Sequence, residues 1–243
     1  MRIDRTQYSR VVVLTGAGIS VASGLRPYRG PNGVWEEHDV EQLGHVRTLQ
    51  ERPADTWRLF GAMREPILAA QPNAAHRALV EWEASISPSQ EFLLVTQNID
   101  GLHQMAGSRN VCEIHGNIMF TKCSNLSCTL TPFRDEELHQ DVVPTCPVCG
   151  SALRPDIVLF GEELPALPSW TVKRALRDCD LFLAVGTSGM VAPASNYVRS
   201  AEYAGARTVY VNLEPMQQPN PAFQEQYFGR AEELLPQMLG IGI

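Results

Sequence analysis

The chain has 243 residues and is 44% hydrophobic, enough to bury a substantial core in one large domain, or in one large domain with a smaller insert. Lysine and arginine number 20 against 27 acidic residues, and a net charge of -7 provides no basic stripe for neutralising phosphates, which argues against direct nucleic-acid binding. No apolar run approaches bilayer-spanning length, the stretch from Met1 to Arg10 is polar, and six cysteines are too sparse for a disulfide scaffold, so the expectation is a soluble cytoplasmic protein, compatible with a monomer and with no membrane partner.

Val11-Val12-Val13-Leu14-Thr15 is an unbroken, mostly β-branched run of the kind buried on both faces of a sheet, and Gly16-Ala17-Gly18-Ile19-Ser20 comes directly after it. This predicts a strand, a tight turn and a helix start. Gly16 and Gly18 lack the Cβ atoms that would hold a backbone away from a pyrophosphate, and a helix beginning there would aim its free N–H groups at that anion. A full dinucleotide fingerprint requires a glycine where Val21 stands and an acidic residue closing a second strand; Glu36 and Glu37 lie at about the right distance but in loop-like sequence. A hydride-transfer dehydrogenase is therefore disfavoured.

Pro27 to Gln71 interrupts the pattern, first Pro/Gly-rich and then helical. Short apolar runs resume at Phe92 to Thr96, Val111 to Ile114, Leu181 to Val185 and Thr208 to Val211, with helix-compatible stretches at Lys173 to Asp178 and Ala194 to Ala204. Strands alternating with helices predict an α/β fold with a parallel, doubly wound Rossmann-type sheet. Met119 to Leu153 breaks the alternation again. The two excursions are expected to form a small lobe (27–72 and 119–154) beside a large domain (1–26, 73–118 and 155–243). Polar groups directly after buried-type strands, at Gln97-Asn98-Ile99-Asp100, Gly186-Thr187-Ser188 and Asn212-Leu213-Glu214, suit a ligand held at the carboxyl edge of such a sheet.

Within the second excursion, Cys123 and Cys128 are separated by four residues, Cys146 and Cys149 by two, and seventeen lie between the pairs. Two such knuckles complete the tetrahedron that zinc accepts, and four thiolates leave no position for water, so the metal is expected to be structural. Cys112 and Cys179 sit in packing contexts.

Seven segments occur here in the order found in sirtuins: Gly16-Ala17-Gly18-Ile19-Ser20, Gln97 to His103, Glu113-Ile114-His115-Gly116, the paired cysteines, Arg154 to Glu162, Val185 to Ser188, and Asn212-Leu213-Glu214. The chain resembles that family from Val11 to Leu239, most closely its bacterial deacylases and their mitochondrial relatives. The resemblance implies a Rossmann-type domain with a lobe made of a zinc ribbon and a helical module. It also implies NAD-dependent removal of acyl groups from protein lysines, yielding nicotinamide and O-acyl-ADP-ribose. Such chemistry needs a base to deprotonate a ribose hydroxyl, and an imidazole titrates near the working pH.

Spacing alone does not choose between His103 and His115; the resemblance assigns the base to His115 and makes His103 structural. It places Asn98 near the nicotinamide ribose, Ile99 and Asp100 at the carboxamide, Ser188, Asn212 and Glu214 at the adenosine end, and Tyr28 and Arg29 in a flexible cofactor loop. Gly16, Ala17, Gly18, Ser20, Gln97, Gly186, Thr187, Leu213 and Ala231 complete the implied cofactor site. Val158 and Phe160 would line the acyl-lysine tunnel. An extended substrate peptide would lie between Gly161-Glu162 and Gly189-Met190.

Pro27 and Tyr28 depart from the family pattern and imply a stiffer loop. Where acid-acyl-specific members carry a tyrosine and an arginine three positions apart, this chain has Phe60 and Met63, which implies a preference for uncharged acyl groups, with Gly44 leaving room. The rivals are ADP-ribosyl transfer or NAD hydrolysis, which share the first bond cleavage, and a non-catalytic NAD-sensing module.

Overall fold

The computed structural model describes residues 2–28, 33, 39–140 and 142–242. Strand β1 (Arg10–Thr15) buries five of its six side chains, and β7 (Leu181–Val185) buries all five. Such strands need partners on both edges and helices on both faces. They belong to a six-stranded parallel sheet ordered β3-β2-β1-β7-β8-β9, with β2 at Glu91–Thr96, β3 at Val111–Glu113, β8 at Arg207–Asn212 and β9 at Glu225–Phe228. Each apolar run read from the sequence is thus a strand of this sheet. β9 was not expected: it is an edge strand whose side chains are half-buried or exposed, so it has no apolar run.

One face of the sheet packs Val11, Val13, Leu94, Leu183 and Val209 against helices α4 (Ala74–Ser85) and α8 (Ala231–Leu239). The other packs Val12, Leu14, Val95, Phe182 and Tyr210 against α6 (Ala166–Arg177) and α7 (Tyr197–Tyr203). Short α5 (Leu102–Ala106) joins β2 to β3. Among the described residues no helix is long and apolar enough to cross a membrane.

The first excursion folds as α1 (Val40–Leu43), α2 (Val46–Glu51) and α3 (Pro53–Ala69), around a core containing Val40, Leu49, Leu59, Phe60 and Ile67. The second contributes a three-stranded antiparallel sheet ordered β5-β4-β6, with β4 at Gly116–Cys123, β5 at Phe133–Arg134 and β6 at Leu153–Ile157. Helix α3 ties the two together. A Cβ on Gly61 would stand 2.1 Å from the Leu138 carbonyl oxygen, so only glycine permits this contact. Trp57 donates its indole N–H to Leu153 O at 2.9 Å. Buried Arg64 donates to Ile118 O (2.9 Å), Thr121 Oγ1 (2.8 Å) and Glu137 O, and pairs with Asp135 at 3.3 Å.

Candidate active site

Sheet order creates the site. From β1 the chain moves outward through β2 to β3, then returns to the opposite side of β1 and moves out through β7, β8 and β9. Segments leaving the carboxyl ends of β1 and β7 therefore diverge, and crevices at such switch points bind ligands in open α/β sheets. Here the crevice widens into a cleft of about 1340 Å³ that continues between the sheet edge and the helical module.

The glycine turn works differently from the expectation. The chain leaves β1 not into an α-helix with free N–H groups but into a 3-10 helix, Ala17–Ser23. Gly16 N–H donates to Val185 O at 3.0 Å and Gly18 N–H to Gly186 O at 2.8 Å, so both amides are used inside the protein. A Cβ on Gly16 would lie 2.7 Å from Gly186 O, and one on Gly18 2.7 Å from Gly186 Cα. The glycines let the two strand ends cross at backbone contact, and the cleft floor is built on that crossing.

Gly16, Ala17, Gly18, Tyr28, Gln97, Asn98, Ile99, His115, Gly186, Thr187, Ser188, Asn212, Leu213, Glu214 and Ala231 all line the cleft, and so do Phe60, Val158, Phe160, Gly161 and Glu162. Residues from widely separated segments thus meet at one surface. Three expected residues stand behind it. Ser20 and Asp100 are buried and bound to each other, Ser20 Oγ donating to Asp100 Oδ2 at 2.7 Å while Leu102 N–H donates to Oδ1 at 3.0 Å. Burial pushes the Asp100 carboxyl up, and burial together with Asp100 raises the Tyr28 phenol. Met63 packs half-buried against the core of the helical module. Arg29 lies outside the described residues.

The two histidines separate clearly. His115 lines the cleft, and its Nδ1 is 2.9 Å from Gln97 O. A carbonyl only accepts, so Nδ1 carries the proton and neutral His115 keeps its lone pair on Nε2. Burial lowers its pKa, partly offset by the bond to Gln97, which favours the neutral, basic form. His103 is 1% exposed, with Nε2 2.9 Å from Thr15 Oγ1, and burial drives its pKa well down.

Sequence reading missed several groups on the cleft wall, among them Leu25, Arg26, Lys173, Val191, Tyr197 and Arg230. None directly succeeds a buried strand or belongs to a glycine motif, so no local pattern marks them. It also missed what Arg154 does. This buried arginine holds Glu162 through contacts of 2.5 and 2.8 Å, and Glu162 Oε2 accepts Leu159 N–H at 2.8 Å, so the pair fixes the Val158 to Gly161 rim.

The four paired cysteines converge as well. Their sulfurs all lie within 4.8 Å of one another, with Cys123 to Cys149 at 3.5 Å and Cys128 to Cys146 at 3.6 Å. Disulfide sulfurs would be bonded at roughly 2.05 Å, whereas thiolates at 2.3 Å from a tetrahedral metal sit about 3.8 Å apart. The separations fit metal ligands.

The sequence model described as the Sir2 family matches residues 16–193. The "NAD-dependent protein deacylase 2" of Pyrobaculum aerophilum is 42% identical over 229 residues, covering 94% of this chain and 89% of that protein. A Sir2 homologue solved in complex with NAD superposes with a TM-score of 0.87 at 32% identity, covering 96% of this chain and 89% of that one. A Sir2 protein solved with a deacetylated p53 peptide and 3'-O-acetyl ADP ribose gives 0.84 at 30% identity, covering 98% and 96%. Fold, motif order and the wall of a single cleft agree with a family model spanning more than half of the sequence, and the chain belongs to the Sir2 family.

Proposed function

We propose that this protein removes acyl groups from lysine side chains of other proteins, using NAD as co-substrate, and that the cleft holds NAD and the acyl-lysine end to end. The observation that carries this is the placement of His115: a cleft-lining imidazole with its Nδ1 proton committed to Gln97 O, and therefore with a basic Nε2, between the Gly16 to Gly18 crossing and the apolar Val158 and Phe160 rim. NAD supplies an electrophilic ribose carbon once nicotinamide departs. Asn98, whose Nδ2 donates to Gly16 O and Ser20 Oγ, both at 3.2 Å, holds the ribose end. Glu214 and Asn212 accept and donate at the adenosine end. His115 takes the ribose hydroxyl proton that starts acyl transfer. That step favours deacylation over plain hydrolysis or ADP-ribosyl transfer, neither of which needs this base.

The Cys123, Cys128, Cys146 and Cys149 set is assigned to one structural zinc ion, remote from the chemistry. The substrate peptide is assigned as an extended strand between the Gly161-Glu162 and Gly189-Met190 segments.

Acyl choice is set by Phe60. Its ring lies on the cleft wall, 3.3 Å from where a Cβ on Gly44 would be, with Phe160 at 3.5 Å. The room that Gly44 frees is therefore taken by two aromatic rings. Arg64, one residue beyond Met63, is fully buried and committed to Ile118, Thr121 and Asp135. A succinyl carboxylate would enter this wall unpaired, at a cost of several kcal/mol. Catalytic efficiency on acetyl-, octanoyl- and succinyl-lysine versions of one peptide, with O-acyl-ADP-ribose read by mass, tests both claims. Uncharged acyl groups are expected to be preferred by at least about tenfold, since each 1.4 kcal/mol is a factor of ten. A succinyl preference would refute the acyl assignment, and free ADP-ribose with intact peptide would refute deacylation.

The acid limb of the pH profile is a further expectation. His115 works as the neutral base, and its pKa lies below the ordinary 6.5. As pH falls, activity should hold through 6.5 and decline only at lower pH. A half-maximal point of log kcat/KM above 6.5 would contradict this.

A further inference from the structure

His76 and His103 stand outside the cleft, and no step assigned above uses them. Both are buried, His76 at 0% exposure in α4 and His103 at 1% in α5. Their hydrogen bonds determine where each proton sits. Asn73 N–H donates to His76 Nδ1 at 3.3 Å, so neutral His76 carries its proton on Nε2. Thr15 Oγ1 donates to Thr96 Oγ1 at 2.9 Å and therefore accepts from His103 Nε2, also at 2.9 Å, which leaves a lone pair on His103 Nδ1. The two atoms left over, a donor at His76 Nε2 and an acceptor at His103 Nδ1, are both buried without partners. They belong to rings whose centroids are 4.8 Å apart at an interplanar angle of 57°. One ring lacks an acceptor and its immediate neighbour lacks a donor, and buried polar groups are normally paired.

Beyond His103 the bonds run to the cleft. Thr96 Oγ1 accepts Asn98 N–H at 3.1 Å, and Asn98 Nδ2 reaches Gly16 O and Ser20 Oγ. We propose that His76 is a positioning residue for Asn98: its Nε2–H serves His103 Nδ1, fixes the His103 tautomer, and through Thr15 and Thr96 holds the Asn98 backbone at the cleft wall. With the opposite tautomer, His103 Nε2 would present a lone pair to Thr15. Thr15 would then turn its proton away from Thr96, loosening the group that anchors Asn98 N–H. Burial keeps both rings neutral, with His76 down to about 4, so the arrangement persists through the working pH range.

The inference rests on the deacylase reading only for its kinetic arm. Long-range ¹H–¹⁵N correlation spectra of the full chain at pH 7 are expected to show both histidines as neutral Nε2–H tautomers. In His76→Phe, which keeps a ring but no donor, His103 should become a mixture of tautomers. The KM for NAD should rise by roughly five- to tenfold, the scale of one lost hydrogen bond. His76→Gln gives up the bond from Asn73 N–H, so its Tm should fall too, yet its amide can still donate towards His103 and should restore the single tautomer and most of the KM. A His103 proton on Nδ1 in the unmodified protein overturns the proposal whatever the activity. So does a His76→Phe variant with lowered Tm but unchanged His103 tautomer and KM, which would make His76 a packing residue. Absence of deacylation in the unmodified protein would instead defeat the deacylase reading, while the spectra would still decide the relay.

Discussion

His115→Ala is expected to lower deacylation by at least about 10²-fold, the usual contribution of a general base, while leaving NAD binding nearly intact. In the proposed reaction His115 has one atom to offer, Nε2, because Nδ1 is committed to Gln97 O at 2.9 Å. The ribose-holding groups have other partners as well: Asn98 is held by Gly16 and Ser20, and Gln97 Nε2 donates to Thr187 Oγ1 at 2.9 Å. Removing the imidazole therefore deletes a proton acceptor without dismantling the binding surface. Calorimetric titration with NAD, beside turnover on an acetylated peptide, separates the two effects. His103→Ala provides the contrast. His103 is buried and bonded to Thr15, so its loss should act through stability and the placement of Asn98. The assignment fails if His103→Ala stops the chemistry in a well-folded protein and His115→Ala leaves it untouched.

Cys146→Ser is expected to lose most of the bound zinc and to unfold the ribbon end of the small lobe. Cys146 is 3% exposed and packs with Cys123, Leu153 and Trp57 in a cluster too small to hold together by apolar burial alone. In sites of this kind metal affinity is itself folding free energy, of order 10–16 kcal/mol in small zinc domains, so the metal outweighs the cluster. The damage should spread. Trp57 donates to Leu153 O, and α3 carries both Trp57 and, one turn on, the cleft residue Phe60. Metal analysis, Tm and tryptophan emission should all move together, and acyl-peptide KM should rise more than NAD KM. Retention of a full equivalent of zinc with unchanged Tm would overturn the assignment.

Much of this molecule is legible along the chain because its signals are local. Five of the six sheet strands are apolar runs, four of them buried on both faces with no need of alternation, and the four paired cysteines stand out by spacing alone. Strand-end polar groups such as Gln97, Thr187 and Asn212 could be found because parallel sheets present carboxyl ends on one edge. The resemblance then supplied roles that spacing left open, above all the preference for His115 over His103.

The remainder depends on contacts between distant segments. Gly16 and Gly18 read as a phosphate turn from their neighbours, but their requirement comes from Gly186, some 170 residues away, which crosses them at backbone contact. The edge strand Glu225–Phe228 has no apolar run because its side chains are only half-buried or exposed once the chain is folded. Arg64 is next to Met63 in sequence but points elsewhere, because a helix turns about 100° per residue and the ribbon supplies buried acceptors on that side. Asp100 and Ser20 each sit in a motif that borders the cleft, yet they meet behind its wall, since two buried polar groups are held best by each other. Which elements form, where metal-ligating and ligand-facing chemistry is encoded, and to which family the order of motifs points can all be read from the chain alone. Which side chains face the cleft and which support it is settled only in the folded molecule, because that depends on hydrogen-bond partners and close backbone approaches that no local pattern contains.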